Sequence, residues 1–470
     1  MDTLMDEILE DDFRYKLFIY KVLMLSENYL EETILANTLE LSSFKTRKYL
    51  FELIEDVQFM GIDSFIVVKD NKIIEFKNLT QKDYNNIRRY YFEHSLQCNF
   101  LVQVAICENY LVPEYAEMCF LSKGSAYSIV KKINDFLVNW NIKLKKSRFI
   151  GNELDIRLFC FQLLFYYYGT HIPRSLLKNA NRIETLLSDL QLIFSKSFTA
   201  NQFAQLKMIL CVQYTRINNK NFAEESILVS DISLIESNLS KWFNKNDLFL
   251  DKFQVTRESE FIMLFLVLNQ YIENEGYISI EETKGFKLLL HHLNLKKLDY
   301  IPDDFIKLAK LLFFKWEYTK FSFSAFVADD QYVFFKESFP KTHELVHNIV
   351  SSIKKNDSSK WNIIKKTHLY YDLMFAFLKF KDMRRLEKFI YVNVDFSGGD
   401  IYNQFIKTNI DAFNYLNIIL DEKLMSHTDI YISDIYNHKV LCKQVIWKKP
   451  PLEYDWKLFA EMVIKLKGES

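Results

Sequence analysis

Glycine and proline are scarce in this 470-residue chain, at 9 and 6. Both interrupt regular structure, so their scarcity predicts a mainly helical chain with few sharp reversals. Cysteine is scarce as well. Cys98, Cys107, Cys119, Cys160, Cys211 and Cys442 are scattered without a CxxC pair, mostly among apolar residues. That distribution favours buried free thiols over disulfides or a zinc site. No long apolar run occurs: Phe261 to Leu268, the longest wholly apolar stretch, is far shorter than the roughly 20 residues a bilayer-spanning helix needs. The opening Met1-Asp2-Thr3-Leu4-Met5-Asp6-Glu7 is acidic, without the basic start and apolar centre of a secretion signal. A cytoplasmic protein with no membrane partner is expected. No Walker loop, GxSxG elbow or dinucleotide fingerprint is present, so neither an enzyme nor a cofactor is expected.

What is present is core-forming material, 49% hydrophobic and 26% charged, enough for three or more domains. The abundance of Phe, Tyr, Lys, Asn and Ile reflects an AT-rich coding bias rather than a function. Formal net charge is −1, so a local excess of one sign stands out. It stands out between Leu121 and Ile150, where seven Lys and Arg residues meet one acid, Asp135. The surrounding stretch Val112–Glu153 reads as a helix-turn-helix followed by a β-wing. Val112 to Phe120 is a first helix opened by Pro113, where a missing N–H costs nothing. Leu121-Ser122-Lys123-Gly124 is the connection, with Gly124 supplying backbone freedom. Ser125 to Trp140 is the second helix, with Ala126, Ile129, Val130, Ile133, Phe136, Leu137 and Trp140 at helical spacing. Its other face shows Lys123, Ser125, Tyr127, Ser128, Lys131 and Lys132. Ile142–Lys145 and Arg148–Ile150 form a hairpin with Lys145, Lys146 and Arg148 near its tip. Such a basic island is the footprint of a phosphate backbone, and the expected partner is double-stranded DNA.

An earlier stretch repeats the plan. Asp11–Leu25, Glu31–Leu39 and Phe44–Asp56 are helices, Ser43 is a candidate cap, and Ser64–Val68 with Lys72–Phe76 is a hairpin turning at Asp70-Asn71. Lys45, Thr46 and Arg47 supply a second DNA contact, diluted by Glu52, Glu55 and Asp56; a structural role is the alternative. Gln81–Glu108 reads as one long helix that joins the modules and fixes their spacing. From Asp155 to about Lys388 amphipathic helices recur without strands, in two bundles divided near Gly276-Tyr277. After Lys388 strands and helices alternate: Phe389–Val394, a loop Asp395-Phe396-Ser397-Gly398-Gly399-Asp400, a helix Ile401–Asn409, strands Phe413–Leu420, Asp429–Ser433 and Lys443–Trp447, and a helix Trp456–Lys467.

The run LSKGSAYSIVKKINDFLVNWNIKL followed by RFIGNELDIRLFCFQLLFYYYG resembles the Mga/AtxA class of virulence and sugar-responsive transcription regulators of Gram-positive bacteria. In that class the same helix-turn-helix, wing and GxExxIR run precede a helical half. The resemblance implies a mainly α multidomain chain. Its parts are a first winged helix-turn-helix (residues 1–80), a second with its linking helix (81–153), two helical regulatory domains of the phosphotransferase type (154–278 and 279–387) and a small α/β domain like the B subunit of sugar permeases (388–470). It also implies a homodimer and a phosphocarrier protein that phosphorylates histidines in the helical half; His171, His291 and His292 are the preferred candidates there. The sugar-permease loop carries a phosphorylated Cys, whereas residues 395–399 contain none, so phosphoryl transfer by that domain is not expected. Its glycine N–H groups before a helix could hold an anion, with plain loop geometry as the alternative. His343-Glu344-Leu345-Val346-His347 formally matches HExxH. A zinc protease also needs a third ligand and a cleft edge strand, and the flanking sequence offers neither, so no metal is expected. The alternative to a DNA reader is an interaction scaffold whose winged helices bind protein.

Overall fold

The computed structural model describes residues 4–69, 73–107, 111–224, 232–246, 248–295, 300–319, 332–353, 360–413 and 416–468. Among them nineteen α-helices and nine short strands form two compact units. The first extends through Ser279 and takes in Thr319, Lys360 and Trp361; the second begins at Ile280.

Unit 1 opens with α1 (Asp11–Leu25), β1 (Tyr29–Glu31), α2 (Glu32–Leu39), α3 (Ser43–Phe59), β2 (Phe65–Lys69) and β3 (Ile73–Lys77). The sheet order is β1-β3-β2, all antiparallel, with Leu30 opposite Ile74 and Ile66 opposite Phe76. A three-residue strand this short leaves no alternation to read, and β1 was not foreseen in the sequence. The expected Asp70-Asn71 turn lies outside the described residues. The cap of α3 is Ser42 rather than Ser43: its hydroxyl accepts the Lys45 N–H at 3.4 Å.

The expected single helix Gln81–Glu108 is two helices, α4 (Gln81–His94) and α5 (Leu96–Cys107). Ser95 interrupts them with extended backbone (φ −70°, ψ 124°), and its Oγ accepts the Cys98 N–H at 3.1 Å, which caps α5. Next come α6 (Val112–Met118), α7 (Lys123–Leu137), a 3₁₀ turn Val138–Trp140, β4 (Lys143–Lys145), β5 (Arg148–Ile150) and α8 (Glu153–Tyr168). The helical remainder of unit 1 is α9 (Leu177–Ile193), α10 (Ala200–Asn218), α11 (Ser233–Lys245) and α12 (Lys252–Leu268). Helices α10 and α12 each open with a capping box, Thr199 with Gln202 and Asp251 with Gln254.

Unit 2 contains α13 (Lys284–Leu295), α14 (Asp303–Tyr318), α15 (Tyr332–Ser338), α16 (Pro340–Ser352) and, from Asn362 on, α17 (Lys360–Lys379), around a core that includes Phe286, Phe305, Phe313, Val346 and Phe377. Gly285 lets α13 approach α14: a Cβ there would stand 2.6 Å from the Phe313 ring. The chain then forms β6 (Ile390–Val394), α18 (Asp400–Asp411), β7 (Ile418–Asp421), β8 (Ile430–Ser433), β9 (Lys443–Ile446) and α19 (Glu453–Gly468). The four strands are all parallel in the order β7-β6-β8-β9. Ile390, Val392, Ile430 and Ile432 face Ile406 of α18 and Phe459 and Val463 of α19 in one core. The expected strand Phe413–Leu420 begins later, at Ile418, because α18 continues to Asp411. Lys467 near the end of α19 is buried, donates to the Ser338 carbonyl at 3.1 Å, and is pushed down to about 8 by burial.

No helix among the described residues is long and apolar enough to cross a membrane. Cys98, Cys160 and Cys211 are buried, Cys119 and Cys442 half-buried, and all five are free. Burial pushes the Cys160 and Cys211 thiols up to about 12.

Candidate nucleic-acid interface

The geometry of the second winged module starts at its turn. Helix α6 begins at Pro113 and ends by Met118, after which Phe120 adopts a left-handed backbone (φ 54°). The reversal therefore falls on Phe120; Gly124, expected to supply it, lies inside α7, where an added Cβ would meet only the Ser122 hydroxyl at 3.8 Å. Ser122 caps α7 by accepting the Ser125 N–H at 3.0 Å. Ala126, Ile133, Phe136 and Leu137 are buried, which turns the opposite face outward. On that face Lys123, Ser125, Tyr127, Ser128, Lys131 and Lys132 are all exposed.

The wing is a two-stranded antiparallel hairpin in which Lys145 pairs with Arg148 around Lys146-Ser147. Both turn residues have positive φ, 50° and 58°, the tight reversal that suits strand twist and usually calls for Asn-Gly. Leu144 and Phe149 point into the core, and the alternation leaves Lys143, Lys145 and Arg148 exposed, with Lys146 exposed at the tip. Among the described residues no ion pair engages Lys123, Lys131, Lys132, Lys145 or Lys146.

Asn134 of α7 holds helix and wing together. Its Oδ1 accepts the Leu144 N–H at 2.7 Å and its Nδ2 donates to the Leu144 carbonyl at 3.1 Å. Sequence reasoning passed over Asn134; the available signal was an amide on the boundary between the apolar and basic faces of α7. Below the wing, Trp140, Phe136 and Phe149 surround the Phe159 ring of α8 at 5.2, 6.1 and 6.2 Å.

The chain leaves the wing into α8, whose first turn is locked by charge. Asn152 caps it through the Leu154 N–H at 2.8 Å. Glu153 accepts from Arg157 at 2.9 Å and from Arg216 of α10 at 3.0 and 2.8 Å. Arg157, fully buried, forks onto Glu258 of α12 at 2.5 and 2.9 Å and donates to the Asn221 carbonyl at 3.0 Å. Gln213 and the Ala223 N–H complete the shell of Glu258 at 2.7 and 3.1 Å. Burial opposes the charge on Arg157, and the two carboxylates overcome it and raise its pKa. A buried network of this kind costs desolvation and tolerates no missing partner, so it specifies geometry more than it adds stability. It ties the residues next to the wing to α10 and α12.

The first module differs at the same positions. Thr46, expected to face DNA, is fully buried because the helical period of α3 turns it toward the core with Tyr49 and Leu50. Arg47 donates to buried Glu32 through Nε and Nη2 at 3.1 and 2.8 Å. Lys45 remains exposed, while Lys48 pairs with Glu52 at 3.6 Å and Lys69 on the wing with Glu75 at 2.6 Å.

Residues 80–164 match a family model, the Mga helix-turn-helix domain. The chain carries an Mga-type helix-turn-helix domain. Its matched span runs from the start of α4 through most of α8, and so contains the basic face of α7, the wing and the Glu153–Arg157 lock. The Mga-type domain points to DNA-binding transcription regulation. Comparison with curated proteins finds no match for the chain.

The histidines lie elsewhere. His171 is exposed in the turn after α8, its Nδ1 3.3 Å from the Tyr168 carbonyl oxygen. His291 is exposed and His292 half-buried near the end of α13, their rings 6.0 Å apart. His343 Nδ1 lies 2.7 Å from the Tyr370 hydroxyl, and its ring stacks on His347 at 5.7 Å. Among the described residues no three His, Cys, Asp or Glu side chains gather as a metal site. In the loop after β6 the Ser397 N–H donates to Asp434 at 2.9 Å and the Ser397 hydroxyl also bonds that carboxylate. These bonds hold Asp434 below the usual carboxylate range. Asp434 thus places a carboxylate on the Ser397 N–H and negative charge beside the loop, which favours the plain loop geometry over an anion site.

Proposed function

We propose that the chain is a transcription regulator of the Mga/AtxA type that grips double-stranded DNA through its second winged module. The observation that carries this reading is the set of exposed cations on α7 and at the tip of the wing, two elements that Asn134 bonds to one another. Helix α7 enters a major groove with Lys123, Ser125, Tyr127, Ser128, Lys131 and Lys132 toward the duplex. Lys145, Lys146 and Arg148 meet phosphates from the wing. The Glu153–Arg157–Glu258 lock supports a route by which the helical part of unit 1 sets the pose of that wing. The regulated genes belong to virulence or carbohydrate use, and the protein works in the cytoplasm as a homodimer, as the family resemblance implies.

The helical segments 154–278 and 279–387 act as regulatory domains whose histidines receive phosphoryl groups from a phosphocarrier protein, with His171, His291 and His292 the candidates. Two added negative charges can split or order a helical interface. His171 and His291 are exposed and His292 half-buried, which supports access by a donor protein. The α/β domain has the place of a sugar-permease B subunit without its Cys, and with Asp434 on the loop it serves binding rather than phosphoryl transfer. No catalytic role is proposed.

Fluorescence anisotropy with a random duplex at several salt concentrations tests the reading. Binding that weakens steeply with salt supports it; no binding at low salt contradicts it and favours the scaffold. One observation favours the scaffold for the first module alone: several of its cations are paired while Phe44, Phe51 and Phe59 are exposed.

A further inference from the structure

We propose that the outer face of α3 binds the same face of a second copy of this chain, antiparallel, about a two-fold axis beside Phe51. The proposal rests on the homodimer reading above and names a surface for it. Phe44, Phe51 and Phe59 are 81%, 47% and 80% exposed. Single exposed apolar residues are ordinary on a protein surface. These three share one stripe, because positions 44, 48, 51, 55 and 59 fall on the same side of a helix with 3.6 residues per turn. The stripe runs for about 22 Å at 1.5 Å per residue. Aligned large apolar side chains at that density mark a contact surface.

The charges on the stripe identify the occupant. Lys48 lies in the N-terminal half of α3 and Glu55 in the C-terminal half, both on the exposed side. A two-fold axis between positions 51 and 52 carries 44 onto 59, 48 onto 55 and 51 onto 52. Phe44 then meets Phe59 of the second copy, Lys48 meets its Glu55, and each contact occurs twice. The two Phe51 side chains flank the axis, offset by about 1.5 Å along the helices. A pattern that is complementary to its own reversal fits an isologous contact. It does not fit DNA, because Arg47 is committed to Glu32 and Thr46 is buried, leaving Lys45 and Lys48 as the exposed cations of α3, with Lys48 facing Glu52. Elsewhere on the module Glu31 and Glu40 are exposed and add negative charge, which opposes a phosphate backbone further. One helix pair is smaller than the roughly 800 Å² per partner of a standard interface, so the association is concentration-dependent.

Sedimentation of the full-length protein over a concentration series tests the proposal, with helical content and melting temperature as folding controls. Lys48→Glu alone, and Glu55→Lys alone, each set like charges opposite one another twice and raise the dissociation constant at least about tenfold. The double variant Lys48→Glu/Glu55→Lys restores the pairing and returns the constant to near the wild-type value. Phe51→Asp raises it further than either single charge change. A wild-type chain that stays monomeric throughout overturns both the proposal and the dimer reading. A dimer unmoved by all of these variants overturns this surface and leaves the dimer reading standing. Weakened single variants without recovery in the double overturn the antiparallel register.

Discussion

Two winged helices share unit 1, and they spend their charged residues differently. In the second, the cations of α7 and of the wing tip face solvent, while its buried ion pairs lie behind it, at the start of α8. In the first, carboxylates sit next to the cations themselves: Glu32 on Arg47, Glu52 on Lys48, Glu75 on Lys69 and Asp56 on Lys16. Phosphate binding needs positive charge that is not already neutralised. The architecture is common to both modules, so on the proposed reading the placement of the acids, not the architecture, distinguishes the DNA-gripping module.

The largest expected effect tests the anchoring of the second module. Arg157→Met leaves Glu258 buried without its fork, and breaking such a pair from one side costs about 3–5 kcal/mol. Denaturant unfolding should show that loss. Lys16→Met in the first module should cost distinctly less, because its partner Asp56 is partly exposed and keeps the Tyr91 hydroxyl at 2.7 Å. Equal losses would remove the asymmetry between the two anchors.

A pH titration supplies a control outside both modules. His368 in unit 2 is buried, neither ring nitrogen has a hydrogen-bond partner among the described residues, and burial with nearby Lys315 pushes it down to about 4. In the unfolded chain it takes up a proton near pH 6.5 that the folded state refuses until about pH 4. Stability of unit 2 therefore falls on acidification between those values, by about 2–3 kcal/mol at pH 4. His368→Leu should flatten that fall, as read by denaturant unfolding at pH 4.5 and 7. An unchanged slope would contradict the burial of a neutral imidazole.

The next effect is local to the wing. Asn134→Leu strands the Leu144 N–H and carbonyl, at a cost of about 1–3 kcal/mol, and frees the wing from α7. Duplex affinity should fall although no cation is removed. Unchanged affinity would mean that the wing takes no part in binding. The smallest effect compares single lysines. Lys131→Ala should lower the slope of log K against log salt by about 1, and Lys45→Ala should leave it unaltered.

Much of this was legible in the sequence where periodicity is long. The amphipathic pattern of α7, the basic excess around it and the strand–helix alternation after Lys388 appear in the structure close to where the residues place them. Short or side-chain-dependent features were not legible. Tyr29–Glu31 has three residues and owes its strand state to pairing with β3. The break at Ser95 comes from one hydroxyl that caps α5 inside an otherwise helical pattern. The turn at Lys146-Ser147 has left-handed backbone without the Asn or Gly that signals it. Thr46 and Arg47 looked like a cationic reading face because the sequence does not show which neighbour each side chain meets; the structure turns one inward and gives the other to Glu32. The Arg157–Glu258 half of the lock joins residues about a hundred positions apart, beyond the reach of any local pattern.

The central claim is that the second module, and not the first, carries the phosphate contacts. The most direct measurement is the salt dependence of duplex affinity for two triple variants of the full chain, Lys131/Lys145/Lys146→Ala and Lys45/Lys48/Lys69→Ala. The account predicts that the first loses about three units of the slope of log K against log salt and the second keeps the wild-type slope. Equal losses in both, or a loss confined to the second, would contradict it.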